Sequence, residues 1–316
     1  MNAADLLRNS LLGMAQNSRL RHAIQQAPVS SSVVKRFVAG SSVAEAVETA
    51  GDLRHTARQV TIDYLGEDTH DLGQAAATTD TYVRLLSELS GRGLSAGGRA
   101  EVSVKLSAIG LTLPKDGSTI ALENIRTICS AAREAGTTVT LDMEDHTSTD
   151  ATLTVLREVR VDFPETGAVL QAYLRRTEAD CRDLAYAGSR VRLCKGAYME
   201  PESVAYQGAQ EVDQAYVRCL RILMEAPCYP MVASHDPRMI AIAGALAARA
   251  DRAPRAYEYQ MLLGVRPGEQ KRIADRGDTM RVYLPFGEQW YGYLMRRMAE
   301  RPANTLFFLR GLVTRN

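Results

Sequence analysis

The chain has 316 residues, 46% of them hydrophobic, enough for one large domain with a full core or for two small ones. Its 38 basic and 37 acidic residues leave a formal charge of +1, which excludes a general affinity for nucleic acid or for an anionic membrane. Five cysteines without C-x-x-C spacing read as reduced thiols of a cytosol-like compartment, and five scattered histidines without an H-x-x-x-H pair argue against a dedicated zinc site.

Residues 1–55 show helical spacing, with Leu6, Leu7, Leu11, Leu12 and Met14 on one side. A second helical piece, 42–55, starts at a serine cap. This predicts an N-terminal helical arm that serves as a packing cap, a dimer contact or a membrane-surface helix. The N-terminus lacks a basic start and a continuous apolar run, so no signal peptide is expected, and no stretch reaches the ~20 apolar residues of a membrane span.

From residue 60 the pattern changes. Apolar runs at 60–65, 101–107, 138–144, 168–174, 191–197, 231–236, 257–263 and 281–287 alternate with helical segments such as 82–89, 122–135, 151–159 and 212–224. Runs rich in Val, Ile and Leu on both faces, separated by helices, predict parallel strands joined by crossover helices. Eight such units predict an α/β fold of the (β/α)8 barrel type over 56–316, with a C-terminal helix over the barrel mouth. A doubly wound sheet gives the same alternation, because strand order is invisible in sequence. The glycine-rich GRGLSAGG at 91–98 precedes a strand instead of following one, so it is a helix-to-strand turn and not a dinucleotide fingerprint.

The most informative run is RVRLCKGAYME, 190–200. Val191 and Leu193 alternate with Arg192 and Cys194, and the strand breaks at Lys195-Gly196-Ala197, where a bare glycine admits close approach of another group. An Arg inside an apolar strand needs a polar or anionic partner. The same design recurs. The C-terminal ends of the other runs carry Lys105, Asp142 with Glu144, Gln171, Ser234 with His235, Gln260 and Tyr283. Singly each has a plain structural explanation: a strand-end cation, a helix cap, a satisfied core histidine. Together they place one polar group from nearly every strand on the rim where barrel chemistry sits. In the last helix Tyr293, Arg296, Arg297 and Glu300 fall on one side, and paired arginines suit a carboxylate ligand; the alternative is a solvated charged face.

These motifs, SVKLS (103–107), LDME (141–144), LQAYLRR (170–176), RLCKGAY (192–198), SHD (234–236), EYQML (258–262), RVYLPFG (281–287) and YLMRR (293–297), resemble those of the proline dehydrogenases, from about residue 60 to the C-terminus. The resemblance implies a flavoenzyme with non-covalent FAD and no Rossmann domain. It oxidises L-proline to Δ1-pyrroline-5-carboxylate by hydride transfer from C5 to flavin N5. By the same resemblance Asp142 and Arg192 are the catalytic positions, Arg192 lying near N5. Met143, Gln171, Lys195, Gly196, Ala197, Ser234 and His235 contact the flavin, as does Glu300. Lys105, Tyr283, Arg296 and Arg297 bind substrate, with Tyr198 and Leu262 lining the pocket. Lys105 and Asp142 are expected to pair at the pocket floor. Met199 stands where some relatives have Trp, and Ser234 stands where Thr is usual. The expected partners are proline, a membrane quinone (or oxygen) as electron acceptor and a separate pyrroline-5-carboxylate dehydrogenase. The expected location is the cytoplasm, peripheral at the inner face of the membrane.

A Schiff-base aldolase barrel built on Lys105 or Lys195 is a competing enzyme class, but it leaves Gln171 and Arg192 without roles. A non-catalytic binding barrel is the third reading.

Overall fold

The structure is a computed structural model that describes residues 30–66 and 69–300, without the side chains of 30–33 and 296–300. Two short helices come first, α1 (Ser30–Phe37) and α2 (Val43–Arg54). Ser42 caps α2 by accepting from the Glu45 amide, while the Glu45 carboxylate accepts from the Ser42 amide, a reciprocal capping box. The barrel follows as β1 (Gln59–Tyr64), α3 (Leu72–Gly91), β2 (Ala100–Val104), α4 (Gly117–Glu134), β3 (Val139–Leu141), α5 (Thr149–Asp162), β4 (Gly167–Gln171) and α6 (Thr177–Leu184). Its second half is β5 (Arg190–Cys194), α7 (Ala209–Glu225), β6 (Tyr229–Ala233), α8 (Pro237–Arg249), β7 (Glu258–Leu262), α9 (Pro267–Asp275) and β8 (Met280–Phe286), and α10 (Trp290–Glu300) comes last.

The eight strands close in chain order, β8 returning to pair with β1, and every pairing is parallel. This decides the fold in favour of the closed barrel. Except for β1 and β8, the strands are shorter than the apolar runs that predict them: run 138–144 yields Val139–Leu141, and run 191–197 yields Arg190–Cys194. Beyond those ends the chain leaves the ladder, so Lys105, Asp142, Lys195, Ser234 and His235 lie on loops at the mouth, while Gln171, Arg192, Gln260 and Tyr283 stay on strands.

The expectation of apolar residues on both strand faces is corrected. Val60, Ile62, Val102, Val104, Val191, Leu193, Val282 and Leu284 join the helices in the main core. The alternate positions, Thr61, Asp63, Glu101, Ser103, Thr140, Arg192, Glu258, Gln260, Arg281 and Tyr283, fill the barrel lumen with polar groups. A barrel lumen is usually packed with branched apolar side chains. Here the charges satisfy one another. Glu101 is fully buried and lies 2.6 Å from Arg190, 3.7 Å from Arg281 and 3.9 Å from Arg192. Burial opposes its charge, but the three guanidiniums outweigh that and hold its carboxyl below the ordinary range.

The N-terminal helices take part in this packing. Val43, Ala46, Val47 and Ala50 of α2 join the main core. Phe37 and Val38 form a second cluster with Tyr291, Leu294 and Met295 of α10, and Leu262 and Tyr283 pack against it. Residues 1–29, most of the expected arm, lie outside the described residues. Among the described residues no helix is long and apolar enough to cross a membrane.

Candidate active site

The C-terminal ends of the strands bring Lys105, Asp142, Arg192 and Tyr283 into one cluster. Arg192 leaves β5 into the lumen and spends its donors on four other strands or strand ends. Its Nη1 donates to Asp142 Oδ1 at 2.7 Å and to Ser103 Oγ at 2.8 Å. Nε donates to Gln260 Oε1 at 2.5 Å, and Nη2 to Thr61 Oγ1 at 3.2 Å. The guanidinium also stands over the Tyr283 ring, 5.4 Å from its centroid. Asp142 is held from the other side by the Tyr283 hydroxyl, which donates to Oδ2 at 2.7 Å. Burial, reinforced by the Asp142 charge, raises Tyr283 well above the usual phenol range, so it stays a donor.

The predicted Lys105–Asp142 ion pair is present, and Lys105 has a second, nearer carboxylate beside it. Lys105 Nζ sits 2.6 Å from Asp63 Oδ2 and 3.9 Å from Asp142 Oδ2. Asp63 of β1 is the partner that sequence reasoning missed. The register places Asp63 beside Ser103, and Lys105 is the next lumen-facing position of that strand, within reach of Asp63. Burial pushes the Asp63 carboxyl up to about 6, with Lys105 pulling it down and Asp142 pushing it up. A signal for it existed: one carboxylate inside the apolar run 60–65, two residues from a strand end.

The remaining predicted residues with described side chains come from the loops and strand ends that follow β3 to β7. Gln171 ends β4 and donates from Nε2 to the Glu144 carbonyl at 2.7 Å, tying β4 to the loop after β3. Met143 is buried within the main core, so its side chain packs there. Lys195 reaches away from the lumen to Asp213 at 2.5 Å and Asp236 at 3.1 Å, carboxylates that Arg238 shares at 2.7 Å each. Gly196 has φ +111°, and a Cβ there would lie 2.2 Å from the Tyr173 ring, so only glycine fits. Ala197 and Tyr198 are half-buried beside it.

Ser234 and His235 lie in the turn from β6 to α8. There Asp236 caps the helix and Pro237 starts it. His235 Nε2 accepts from the Leu262 amide at 2.9 Å, which fixes the ring against β7. Leu262 lies with Tyr283 at the edge of the second cluster. The backbone of α10 carries Arg296, Arg297 and Glu300, whose side chains lie outside the described residues. Asp63, Thr61, Ser103, Asp213 and Asp236 were not singled out from sequence. Each is a common residue type whose role depends on a partner from another strand or helix.

Two open clefts lie elsewhere, one of about 510 Å³ between α8 and α9 and one of about 530 Å³ around Arg190, Glu258 and Arg281 at the opposite end of the barrel.

A family model described as proline dehydrogenase matches residues 46–310, a span that includes every barrel strand. Proline dehydrogenase 1 of Bacillus subtilis (strain 168) is 35% identical over 308 residues, 98% of this chain and 99% of that protein. Proline dehydrogenase of Deinococcus radiodurans is 34% identical over 310 residues, 98% of each chain. Among solved structures, proline utilization A of Bdellovibrio bacteriovorus inactivated by N-propargylglycine superposes with a TM-score of 0.80 at 27% identity, covering 98% of this chain and 38% of the longer one. The lumen lined by charge and the rim motifs thus sit in a chain whose whole described length aligns with one group of enzymes: the protein belongs to the proline dehydrogenase family.

Proposed function

We infer that the protein is an FAD-dependent proline dehydrogenase that carries out the first step of proline catabolism. The observation that carries this reading is the lumen cluster in which Arg192 and Tyr283 both bind the Asp142 carboxylate, with Lys105 alongside. The donor set suits a flavin. A guanidinium, a carboxamide and the half-buried 195–197 segment offer hydrogen bonds to the edge of a flat heteroaromatic ring. At Gly196 the Tyr173 ring fills the volume a Cβ would need, so the 195–197 backbone is packed against that ring. Gln171, Arg192, the 195–197 backbone, Ser234 and His235 would hold FAD, with Glu300 assigned to its far side. When bound, FAD would supply the two-electron acceptor for the hydride of proline C5.

The chain's own residues do the rest. Arg296 and Arg297 hold the substrate carboxylate, and Lys105 stands near it. Tyr283 and Leu262 pack against the ring, and Tyr198 closes the side. Fixing the ring in this way makes the transfer effectively unimolecular. Arg192 keeps a positive charge where electron density arrives, and Asp142 with Gln260 keeps that guanidinium from turning away. The amine must lose its proton before hydride can leave. Asp63 and Asp142 balance Lys105 and Arg192, so the cationic excess that favours the neutral amine comes from the arginine pair. A membrane quinone reached from the inner face is the proposed oxidant. A separate pyrroline-5-carboxylate dehydrogenase is the proposed consumer of the product.

The test is direct. The purified protein should be yellow, and proline added without oxygen should bleach the visible flavin band. A colourless protein that cannot be reconstituted with FAD, and that borohydride traps covalently with a carbonyl substrate, would instead favour the aldolase reading.

A further inference from the structure

The loops that follow β3, β4 and β5 carry Met143, the residues beyond Gln171, and the 195–197 backbone. All three meet at Glu200, a side chain with no role in the reaction just described. The Glu200 side chain is 2% exposed. Its Oε1 accepts from the His146 amide at 2.9 Å and from the Tyr173 hydroxyl at 3.2 Å, and its Oε2 meets His146 Nδ1 in a short hydrogen bond. His146 lies in the loop after β3, Tyr173 in the loop after β4, and Glu200 in the loop after β5. One buried carboxylate therefore binds all three together. Burying it is unfavourable unless each lone pair is met, which makes the arrangement specific.

The same residues reach the cofactor segment itself. The Tyr173 ring whose hydroxyl donates to Glu200 lies against Gly196, and its backbone amide donates to the Lys195 carbonyl at 2.9 Å. The Tyr206 amide donates back to the Tyr173 carbonyl at 2.8 Å. Tyr173, Leu174 and Ala205 form a small apolar cluster apart from the main core. Beyond Met143 and Ala172, which pack into the main core, these loops are thus held by local contacts of their own. Regions built this way open and close independently of the global fold.

We propose that Glu200, with His146 and Tyr173, is a positioning residue for the cofactor site, locking three loops in the one arrangement that receives FAD. The proposal rests on the FAD reading above. Loss of the lock lets the 195–197 backbone move off Tyr173, so FAD must order the loops as it binds and affinity falls.

The experiment titrates deflavinated protein with FAD and follows quenching of flavin fluorescence. Glu200→Gln and His146→Ala should each raise the FAD Kd roughly tenfold to a hundredfold, the range for losing a charge-assisted hydrogen bond. Their flavin-free melting temperatures should stay close to wild type. The double variant should bind FAD no worse than Glu200→Gln alone, because both substitutions break one unit. Lys271→Ala, which removes only an exposed pair with Asp275, should bind FAD as wild type does. If Glu200→Gln fails to fold, His146→Ala decides alone, since that side chain is 34% exposed. Folded variants with an FAD Kd within about twofold of wild type would overturn the proposal and leave the FAD reading intact. Wild-type protein that takes up no FAD would overturn both.

Discussion

Replacing Arg192 by lysine keeps the charge and removes the fork, which makes it the sharpest probe of the lumen network. The ammonium can retain the contact to Asp142, now 2.7 Å from Nη1, but not those to Gln260 and Thr61 on other strands at the same time. Gln260 Oε1 and Thr61 Oγ1 then lose a charged donor inside a site where Arg192 is only 4% exposed. Each such bond is worth about 1.5–3 kcal/mol, so losing two costs about 3–6 kcal/mol, in line with breaking a buried ionic network. That corresponds to a melting temperature lowered by about 5–9 °C for a chain of 316 residues. A thermal melt of flavin-free protein reads it without interference from cofactor loss. The deficit should persist at ~0.5 M salt, because buried pairs are poorly screened. A melt within about 2 °C of wild type, or a deficit that disappears in salt, would refute the claim that Arg192 is the hub of the lumen.

The other predictions address the substrate end. Arg296→Met and Arg297→Met should each lower kcat/KM on the order of tenfold to a hundredfold while flavin content is kept, and a proline-like carboxylate inhibitor should bind each more weakly. Unchanged kinetics and inhibition in both would mean a solvated face. Wild type should prefer proline to trans-4-hydroxyproline, and Tyr283→Ser should narrow that preference by removing the aromatic ring proposed to pack against the substrate. Equal kcat/KM values for the two substrates in wild type would count against it. Asp63 has a folded pKa raised to about 6, above the unfolded value, so protonated Asp63 is favoured by folding. Its stabilising share is complete below about pH 4 and is lost as pH rises through about 6. Chemical denaturation across that window should show wild type losing stability relative to Asp63→Asn as pH rises, and a pH-independent difference would exclude the raised pKa.

What the sequence by itself determined is what local physics controls. The alternation of apolar runs with helical segments comes from side-chain periodicity within a few residues, and all eight runs are strands of the barrel. The serine cap of α2, the glycine-rich turn before β2 and the S-H-D-P junction before α8 are likewise short-range devices. The rim residues were legible for the same reason: a polar group at the end of an apolar run stands out wherever the run goes.

The tertiary structure decided which faces and partners those groups have. Closure of the barrel turned one phase of every strand inward, so that residues scattered as Thr61, Ser103, Asp142 and Gln260 all reach Arg192. No periodicity encodes those meetings, because they depend on register and on strands far apart in the chain. Lys105 shows the difference most plainly. Its charge and strand-end position are visible in sequence, but Asp63 became its partner through the alignment of β1 with β2. Glu200 is the same case at the rim. In sequence it is an ordinary acid following Met199, and only the folded loops bring His146 and Tyr173 to its two oxygens.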